Sequence, residues 1–366
     1  MILSSEMQRL RVGILGATGM VGQRFVHLLN EHPWFEVVAV AASARSAGRT
    51  YAEAVEGRWA MPEGIPDAVA GLMVRQVSEI AEIASEVDFV FSALDMDKTA
   101  IRDLEDTYAK AECPVVSNNS AHRWTPDVPM IIPEVNPEHL EIIDAQRKRL
   151  GTEHGFVVVK PNCSIQPYVP ALAALAEFGP KEVVVCTYQA ISGAGKTFES
   201  WPEMVDNVIP YIGGEEEKSE REPLKIWGRI IDGKIANSAT PKISAQCVRV
   251  AASDGHMAAV SVRFAQKPSI DEILDRWASF SGRPQELDLP SAPSPMLHYH
   301  DAPDRPQTRL DRDYGNGMGV TLGRVREDSL FDYKFIALSH NTVRGAAGGA
   351  VLIAELLHAE GRLARA

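Results

Sequence analysis

Residues 12–22, VGILGATGMVG, place a glycine turn of the form G-x-x-G-x-x-G between a short apolar strand and a helix. Glycine lets a dinucleotide pyrophosphate approach the helix N-terminus, where free N–H groups and the helix dipole favour an anion. The turn lies in a predicted βαβ unit, with a strand at 12–15, a helix at 21–29 and a strand at 37–42. This setting favours a dinucleotide-binding turn over the alternative, an ordinary turn between a strand and a helix. We therefore predict cofactor contacts from Gly16, Thr18, Gly19, Met20 and Val21.

The end of the second predicted strand indicates which dinucleotide binds. Proteins of this type that bind NAD carry an acidic residue there, which holds the ribose hydroxyls. Residues 43–46 are instead Ser-Ala-Arg-Ser. A carboxylate would repel a 2′-phosphate, whereas Ser43 and Arg45, with Ser46 beside them, can bind one, so we predict NADP as the cofactor. The alternative is an exposed arginine on a solvated loop.

The alternation of strands and helices predicts two domains. Further strands at 88–93 and 115–117 indicate an α/β, Rossmann-type dinucleotide-binding domain over residues 1–155. Beyond it the pattern changes to that of an α+β domain with a mixed sheet, over residues 156–340. Its predicted strands are 156–159, 183–189, 244–251 and 257–264.

Two late stretches have distinctive compositions. Residues 284–306 hold six prolines, which predicts a long loop without a regular element. Residues 341–357 are small and apolar, as in a buried helix. We expect the segment 341–366 to return to the first domain and complete it.

Length, charge and cysteine content exclude several classes of protein. With 366 residues the chain can form two cores, and its net charge of -12 opposes binding to nucleic acid or to an anionic membrane surface. No stretch approaches the 18 apolar residues or so that a membrane helix needs, and the N-terminus lacks the pattern of a signal peptide. Four cysteines are too few for a disulfide framework, so a cytoplasmic location is expected.

Cys163 is the strongest candidate nucleophile. The segment Pro161 to Ser164 joins a predicted strand to a predicted helix, so the thiol would lie at a helix N-terminus. That position lowers the pKa of a thiol and offers N–H groups to an oxyanion. A cysteine is more often a small buried hydrophobic residue, and that interpretation suits the other three, Cys113, Cys186 and Cys247.

His256 is the candidate acid/base partner. It lies in Gly255-His256-Met257 between two predicted strands, seven residues after Arg249. From the pattern alone, a solvated turn histidine remains the alternative. The other histidines lack metal-ligand spacing, so we predict no metal site.

Along nearly its whole length the chain resembles the aspartate-semialdehyde dehydrogenase family, specifically the archaeal and fungal branch. Eight blocks occur in the order typical of that family, which makes the resemblance specific. They are GATGMVG, SNNSAHRW, PEVNP, PNCS, QAISGAGK, NVIPYIGGEEEK, CVRVAASDGH and HNTVRGAAGG. The departure is Ile165-Gln166 after Cys163-Ser164, where relatives often carry a small hydroxyl residue; it affects helix packing rather than chemistry.

The resemblance implies roles at the reaction centre. Cys163 would be the nucleophile that forms a thioester, His256 the acid/base and Gln189 the residue that positions the acyl group. NADP would supply or accept hydride. Contacts on the nicotinamide side would come from Ser192, Gly193 and Asn341.

The resemblance also implies a pocket for a zwitterionic substrate. Arg249 would pair with the α-carboxylate and Glu215 with the α-ammonium. Arg123 and Lys218 would hold the leaving phosphate, with Asn162 also in contact with substrate. Without the resemblance, Glu215 to Lys218 would be a solvated acidic run and the arginines surface ion pairs. The implied reaction is reductive dephosphorylation of an aspartyl phosphate, by a homodimer or homotetramer that associates through residues 156–340.

Three alternatives stay open. N-acetylglutamyl-phosphate reductase and malonyl-CoA reductase use the same kind of cysteine, but a carboxylate at Glu215 suits a free ammonium, which neither substrate carries. From a different class, an NADP-sensing protein would keep the cofactor fold without the reaction. A short-chain dehydrogenase is excluded because the chain has no Tyr-x-x-x-Lys pair.

Overall fold

A six-stranded parallel sheet forms the centre of the first domain. The computed structural model describes residues 9–363, so the outer ends of the predicted first domain, residues 1–8 and 364–366, lie outside the described residues. The strand order is β3-β2-β1-β4-β5-β6, as in doubly wound dinucleotide-binding folds. The strands are β1 (Leu10–Leu15), β2 (Phe35–Ala42), β3 (Val74–Gln76), β4 (Phe89–Ser92), β5 (Val115–Ser117) and β6 (Val157–Val159).

Six helices between residues 20 and 150 accompany this sheet. Two of them begin at side chains that satisfy free N–H groups: Asp97, for example, accepts from the backbone of Thr99 and Ala100 at the start of the longest. The helices are α1 (Met20–Leu28), α2 (Tyr51–Val55), α3 (Asp67–Ala70), α4 (Ile80–Glu86), α5 (Lys98–Lys110) and α6 (Ile143–Leu150), the last preceded by a 3-10 helix at Pro137–Ile142.

The first sheet extends beyond the predicted domain boundary. The strand predicted at 156–159 was expected to open the second domain, but β6 pairs in parallel with β5, residue Val157 opposite Val115. The prediction placed it wrongly because three consecutive valines fit a buried strand in either sheet. The nucleophile segment therefore follows directly on the last strand of the dinucleotide-binding sheet.

A seven-stranded mixed sheet forms the second domain, in the order β13-β14-β15-β12-β7-β11-β8. Two neighbouring pairs, β7 with β11 and β13 with β14, are parallel and the others antiparallel. Its strands are β7 (Pro180–Gln189), β8 (Val208–Ile209), β11 (Lys242–Val250), β12 (His256–Phe264), β13 (Leu297–His300), β14 (Val320–Glu327) and β15 (Tyr333–Ser339); β9 (Arg229–Ile231) and β10 (Lys234–Ala236) form a separate hairpin.

Short helices connect these strands. They are α7 (Val169–Ala173), α8 (Glu215–Ile226), α9 (Ile270–Ala278), α10 (Arg283–Glu286) and α11 (Thr308–Asp311), with 3-10 turns at Cys163–Ile165, Ala176–Phe178, Ile191–Ala194 and Pro202–Met204. Two elements correct the predicted loop at 284–306, since α10 extends into it as far as Glu286 and β13 lies within it at an edge of the sheet. Prolines flank β13 but do not interrupt it.

The C-terminal segment returns to the first domain. A π-helical turn at Val343–Ala347 leads into α12 (Gly348–Ala359), in which residues 348–357 are buried. Val351, Leu352 and Leu356 belong to the core cluster that also contains Val12 and Phe25. Within residues 9–363 no helix combines the length and the apolarity that crossing a membrane would demand.

Candidate active site

Cys163 begins a 3-10 turn rather than the predicted α-helix. Pro167 has no N–H to donate to the Cys163 carbonyl, so a regular helix cannot start here. The Asn162 side-chain oxygen accepts from the Ser164 N–H at 2.8 Å and from the Cys163 thiol at 3.4 Å. The Ser164 N–H is therefore not free to bind an oxyanion, contrary to the prediction.

The environment of Cys163 also reverses the predicted direction of its pKa. Burial, reinforced by the negative charge of Glu215, raises the pKa of the thiol to about 11, although Lys160, Arg123 and Arg249 act in the opposite direction. The thiol is thus protonated near neutral pH before substrate binds.

His256, at the first position of β12, is fully buried. Its Nδ1 accepts the Ala190 N–H at 3.1 Å, and since a backbone amide only donates, the neutral ring carries its proton on Nε2. Burial and the nearby Arg249 lower the pKa of His256 to about 3, with Glu215 opposing. Gln189 Nε2 lies 3.5 Å from His256 Nε2, and because both nitrogens carry protons, Gln189 does not accept the His256 proton.

Glu215, at the start of α8, connects the two sides of the site. Its carboxylate accepts from the Asn162 amide at 3.0 Å, the Gln189 amide at 3.2 Å and the Lys218 ammonium at 2.6 Å. Burial opposes ionisation of Glu215, but Lys218 and the two amides outweigh it and lower the pKa of the carboxyl. An ionised, buried carboxylate stands where the sequence predicts a partner for an ammonium.

The predicted cations separate into different contacts. Arg249 donates to the Ala190 carbonyl at 2.7 Å, beside His256. Arg123 pairs with Glu222 at 2.9 Å and lines the same recess as Cys163. Lys218 instead pairs with Glu215, so the structure does not join it to Arg123.

The glycine turn packs closely against neighbouring backbone, beside an open cleft. Gly16 has a φ of +85°, and a Cβ there would lie 2.2 Å from the Ala93 carbonyl oxygen; a Cβ on Gly22 would lie 2.2 Å from the Gly16 oxygen. Thr18 and Gly19 line the cleft beside the turn together with Ser43 and Arg45. These residues fit a bound dinucleotide.

The other predicted cofactor residues fall into three places. Val21, Ser192, Gly193 and Asn341 line the recess that contains Cys163, whereas Met20 lines a neighbouring recess with Arg24. Asn341 accepts from the Gly255 N–H at 2.8 Å and donates to the Ser192 hydroxyl at 2.9 Å. These bonds join the C-terminal segment to the loop before His256 and to the 3-10 turn that contains Ser192. Ser46 is buried and lines none of these recesses.

Four site features escaped the prediction. Arg58 lines the cleft beside Arg45, and Lys160 is buried just before the segment that contains Cys163. Glu222 accepts hydrogen bonds from Arg123 and from the Asn162 N–H. Glu134 forms a two-pronged ion pair with Arg344. The sequence pointed only to Glu134 and Arg344, which lie in the blocks PEVNP and HNTVRGAAGG. The other contacts join segments that are far apart in the chain, so no local pattern predicts them. Within residues 9–363 no cluster of side chains could hold a metal ion.

Two family models match the chain: "Semialdehyde dehydrogenase, NAD binding domain" over residues 11–143, and "Semialdehyde dehydrogenase, dimerisation domain" over residues 172–344. An aspartate-semialdehyde dehydrogenase from Archaeoglobus fulgidus is 44% identical over 349 residues, covering 95% of this chain and 98% of that protein. The chain belongs to the aspartate-semialdehyde dehydrogenase family. The resemblance found in the eight blocks is thereby confirmed, and with it the fold class.

A fungal relative supports the branch, and solved structures support the fold. The protein of this name from Aspergillus fumigatus is 45% identical, covering 94% of this chain and 96% of that protein. The Candida albicans structure, solved with NADP, matches with a TM-score of 0.87 at 39% identity and covers 97% and 100% of the two chains. A Vibrio cholerae structure matches with a TM-score of 0.72 at 26% identity over 96% and 98%.

Proposed function

We propose that the chain is an NADP-dependent aspartate-semialdehyde dehydrogenase. It reduces L-aspartyl 4-phosphate to L-aspartate 4-semialdehyde, a step in the biosynthesis of lysine, threonine, methionine and isoleucine. The observation that carries the proposal is the recess in which Cys163, Asn162 and Arg123 lie with the cofactor-side residues Ser192 and Asn341. The proposed nucleophile, a cation that can bind phosphate and the predicted nicotinamide contacts therefore line one recess.

The charges around Glu215 and Arg249 support an amino-acid substrate. The ionised Glu215 offers a partner for an α-ammonium, and Arg249, within reach of the same centre, offers one for an α-carboxylate. A substrate amine would give the Glu215 carboxylate a second cationic partner besides Lys218, which malonyl or N-acetylglutamyl groups, with no free amine, cannot supply. This favours the aspartyl substrate over the two rival reductases.

The reaction begins with the Cys163 thiolate attacking the acyl carbon, so that an S–C bond forms and the phosphate leaves with the C–O electron pair. Arg123 stabilises the charge on that phosphate. The glycine turn, Ser43 and Arg45 would hold NADPH, which supplies the hydride that reduces the thioester. His256 Nε2–H donates to the oxyanion of the resulting tetrahedral species, whose collapse releases the aldehyde and the thiolate.

A phosphate-dependent assay tests the proposal. Purified protein, given aspartate semialdehyde, phosphate and NADP, should form NADPH, and omission of phosphate should stop it. Malonyl-CoA and N-acetylglutamyl phosphate, assayed in the reductive direction, should be poor substrates. Cofactor binding without turnover would instead establish the NADP-sensing alternative.

We also propose a homodimer formed through the second sheet, in a cytoplasmic setting. One face of β7 and β12 leaves apolar side chains exposed: Tyr188 lies opposite Met257, and Val184 lies opposite the polar Ser261. Tyr188 and Val184 keep 37% and 44% of their surface exposed, an unusual state for strands at the centre of a sheet. All four cysteines are free thiols, which fits a reducing compartment.

A further inference from the structure

Lys160 is a buried lysine that the reaction as written above does not use. It follows β6 and is only 2% exposed. Its backbone is fixed, because its N–H donates to the Ser117 carbonyl at 2.8 Å and its carbonyl accepts from Arg123 at 3.1 Å. The side chain therefore extends from a rigid point three residues before the nucleophile.

The ammonium protons of Lys160 are not all used within the described residues. Its Nζ donates to one carbonyl, that of Pro161, at 2.6 Å. Lys225, a second buried lysine, donates to three carbonyls, those of Arg123, Thr125 and Val128, at 2.7, 2.9 and 2.9 Å. Three acceptors complete an ammonium, so Lys225 is a structural cation, whereas Lys160 keeps capacity for proton exchange.

Two glycines of the C-terminal segment pack against Cys163 and Lys160. A Cβ on Gly345 would lie 2.8 Å from the Cys163 Cβ, and a Cβ on Gly349 would lie 2.9 Å from the Lys160 Cε. Gly345 and Gly349 lie on either side of a kink at Ala346, where the C-terminal segment leads into α12. The C-terminal segment thus covers both side chains together.

His256 is not available to take the thiol proton. Its Nδ1 lone pair accepts the Ala190 N–H, and its Nε2 already carries a proton. Deprotonation of Cys163 therefore needs another acceptor nearby. Burial lowers the pKa of Lys160 to about 7, with Cys163 and Glu222 opposing and Arg123 and Arg344 reinforcing the shift, so a neutral amine is available near pH 7.

We propose that Lys160 controls the protonation of Cys163, taking the thiol proton before attack and returning it after the aldehyde leaves. This inference rests on the proposed thioester reaction. The S–H bond breaks and an N–H bond forms, which turns the amine into an ammonium and the thiol into a thiolate. An anionic substrate beside Arg123 favours the ammonium form by Coulomb attraction, so substrate binding promotes this transfer. When the thiolate is released, the same proton returns and the pair is neutral again.

The pH dependence of Cys163 alkylation by iodoacetamide tests the inference without substrate. The variants are Lys160→Met, which removes the amine at similar length, and Lys225→Met as the matched loss of a buried lysine. We expect Lys160→Met to slow alkylation at pH 8 by about tenfold or more, since the thiol loses the amine that takes its proton. Lys225→Met should keep the wild-type alkylation rate per folded molecule. NADP binding reports folding in each variant.

A second variant separates proton transfer from charge. Lys160→Arg keeps a cation but does not release a proton near neutral pH. Its permanent cation should lower the alkylation midpoint, whereas turnover should fall by roughly tenfold or more, as expected when an acid/base group is removed. Unchanged alkylation at pH 8 in Lys160→Met, or full turnover in Lys160→Arg, would overturn the inference. A wild-type protein that is inactive on aspartate semialdehyde would instead refute the proposed function and leave the alkylation result standing.

Discussion

Burial sets the protonation states of Cys163 and His256, the proposed nucleophile and the proposed acid/base. It raises the pKa of Cys163 to about 11 and lowers that of His256 to about 3, so both are neutral near pH 7. Each therefore acts as a proton donor in the free site, and the nucleophile must be activated on binding. A helix N-terminus, the reason for expecting a low thiol pKa, is absent at this position.

At Cys163 the expected result of a Cys163→Ser substitution is loss of turnover on the order of a thousandfold or more, because an alcohol is a far weaker nucleophile. NADP affinity should stay within about twofold, since the glycine turn lies in the other part of the cleft. Steady-state kinetics and cofactor titration measure the two. Cys113→Ala, in the first core, is the control and should keep turnover per folded molecule. Substantial activity in Cys163→Ser would rule out the thioester.

The ionised Glu215 predicts selectivity for a substrate amine. Glu215→Gln should lower kcat/KM for aspartate semialdehyde more than for the same aldehyde without its amino group, because only the former presents a cation. Glu217→Gln, in the exposed pair with Arg221, is the matched control. An unchanged ratio between the two aldehydes would remove Glu215 from the amine site.

Arg249→Leu tests the carboxylate side of the same pocket. Loss of the guanidinium should weaken substrate recognition by about 2 to 5 kcal/mol, since a desolvated carboxylate would be left unpaired. NADP affinity should change little. The two proteins are compared by kcat/KM with saturating cofactor. A loss below about 1 kcal/mol would show that Arg249 only supports the Ala190 carbonyl and does not bind the substrate carboxylate.

At the scale of the element, the π-helical turn at 343–347 fixes the nucleophile. Arg344 makes a two-pronged pair with Glu134 at 2.6 Å on each side, with both side chains almost fully buried. The next residue, Gly345, packs against Cys163. A break in this pair should therefore disturb both stability and catalysis.

Glu134→Gln should lower the free energy of unfolding by about 3 to 5 kcal/mol, because it leaves the buried Arg344 charge without its partner. Glu182→Gln breaks the pair with Arg263, whose side chains are 45% and 46% exposed, and should cost less than about 1 kcal/mol. Urea unfolding compares the two variants. Equal losses of unfolding free energy in the two variants would show that burial does not increase the contribution of the Glu134–Arg344 pair to stability.

At the scale of the molecule, the second sheet has one face buried by the helices of its own chain and one face with exposed apolar residues. Val184→Glu would place a charge in the proposed dimer interface and should convert the dimer to monomers in sedimentation analysis. Leu330→Glu, at an exposed loop between β14 and β15, should leave the mass unchanged. A wild-type protein that sediments as a monomer would contradict the proposed interface.

The sequence by itself determined the fold class, the dinucleotide-binding turn and the family. These follow from local patterns: a glycine turn between a strand and a helix, strand periodicity, and eight short blocks in order. The absence of an acidic residue at 43–46 likewise needs no tertiary information. Strand positions were also close, and β5 occupies the predicted residues 115–117.

Only the tertiary structure decided how the site is charged and where the domains meet. The pKa directions of Cys163 and His256 depend on burial and on charges such as Glu215, which is brought in from a helix far along the chain. The pairing of β6 depends on which sheet has a free edge, and three valines do not specify that. No sequence pattern identifies Lys160. Its ammonium donates to a single carbonyl, and the C-terminal segment packs over both Lys160 and Cys163 only in the folded chain.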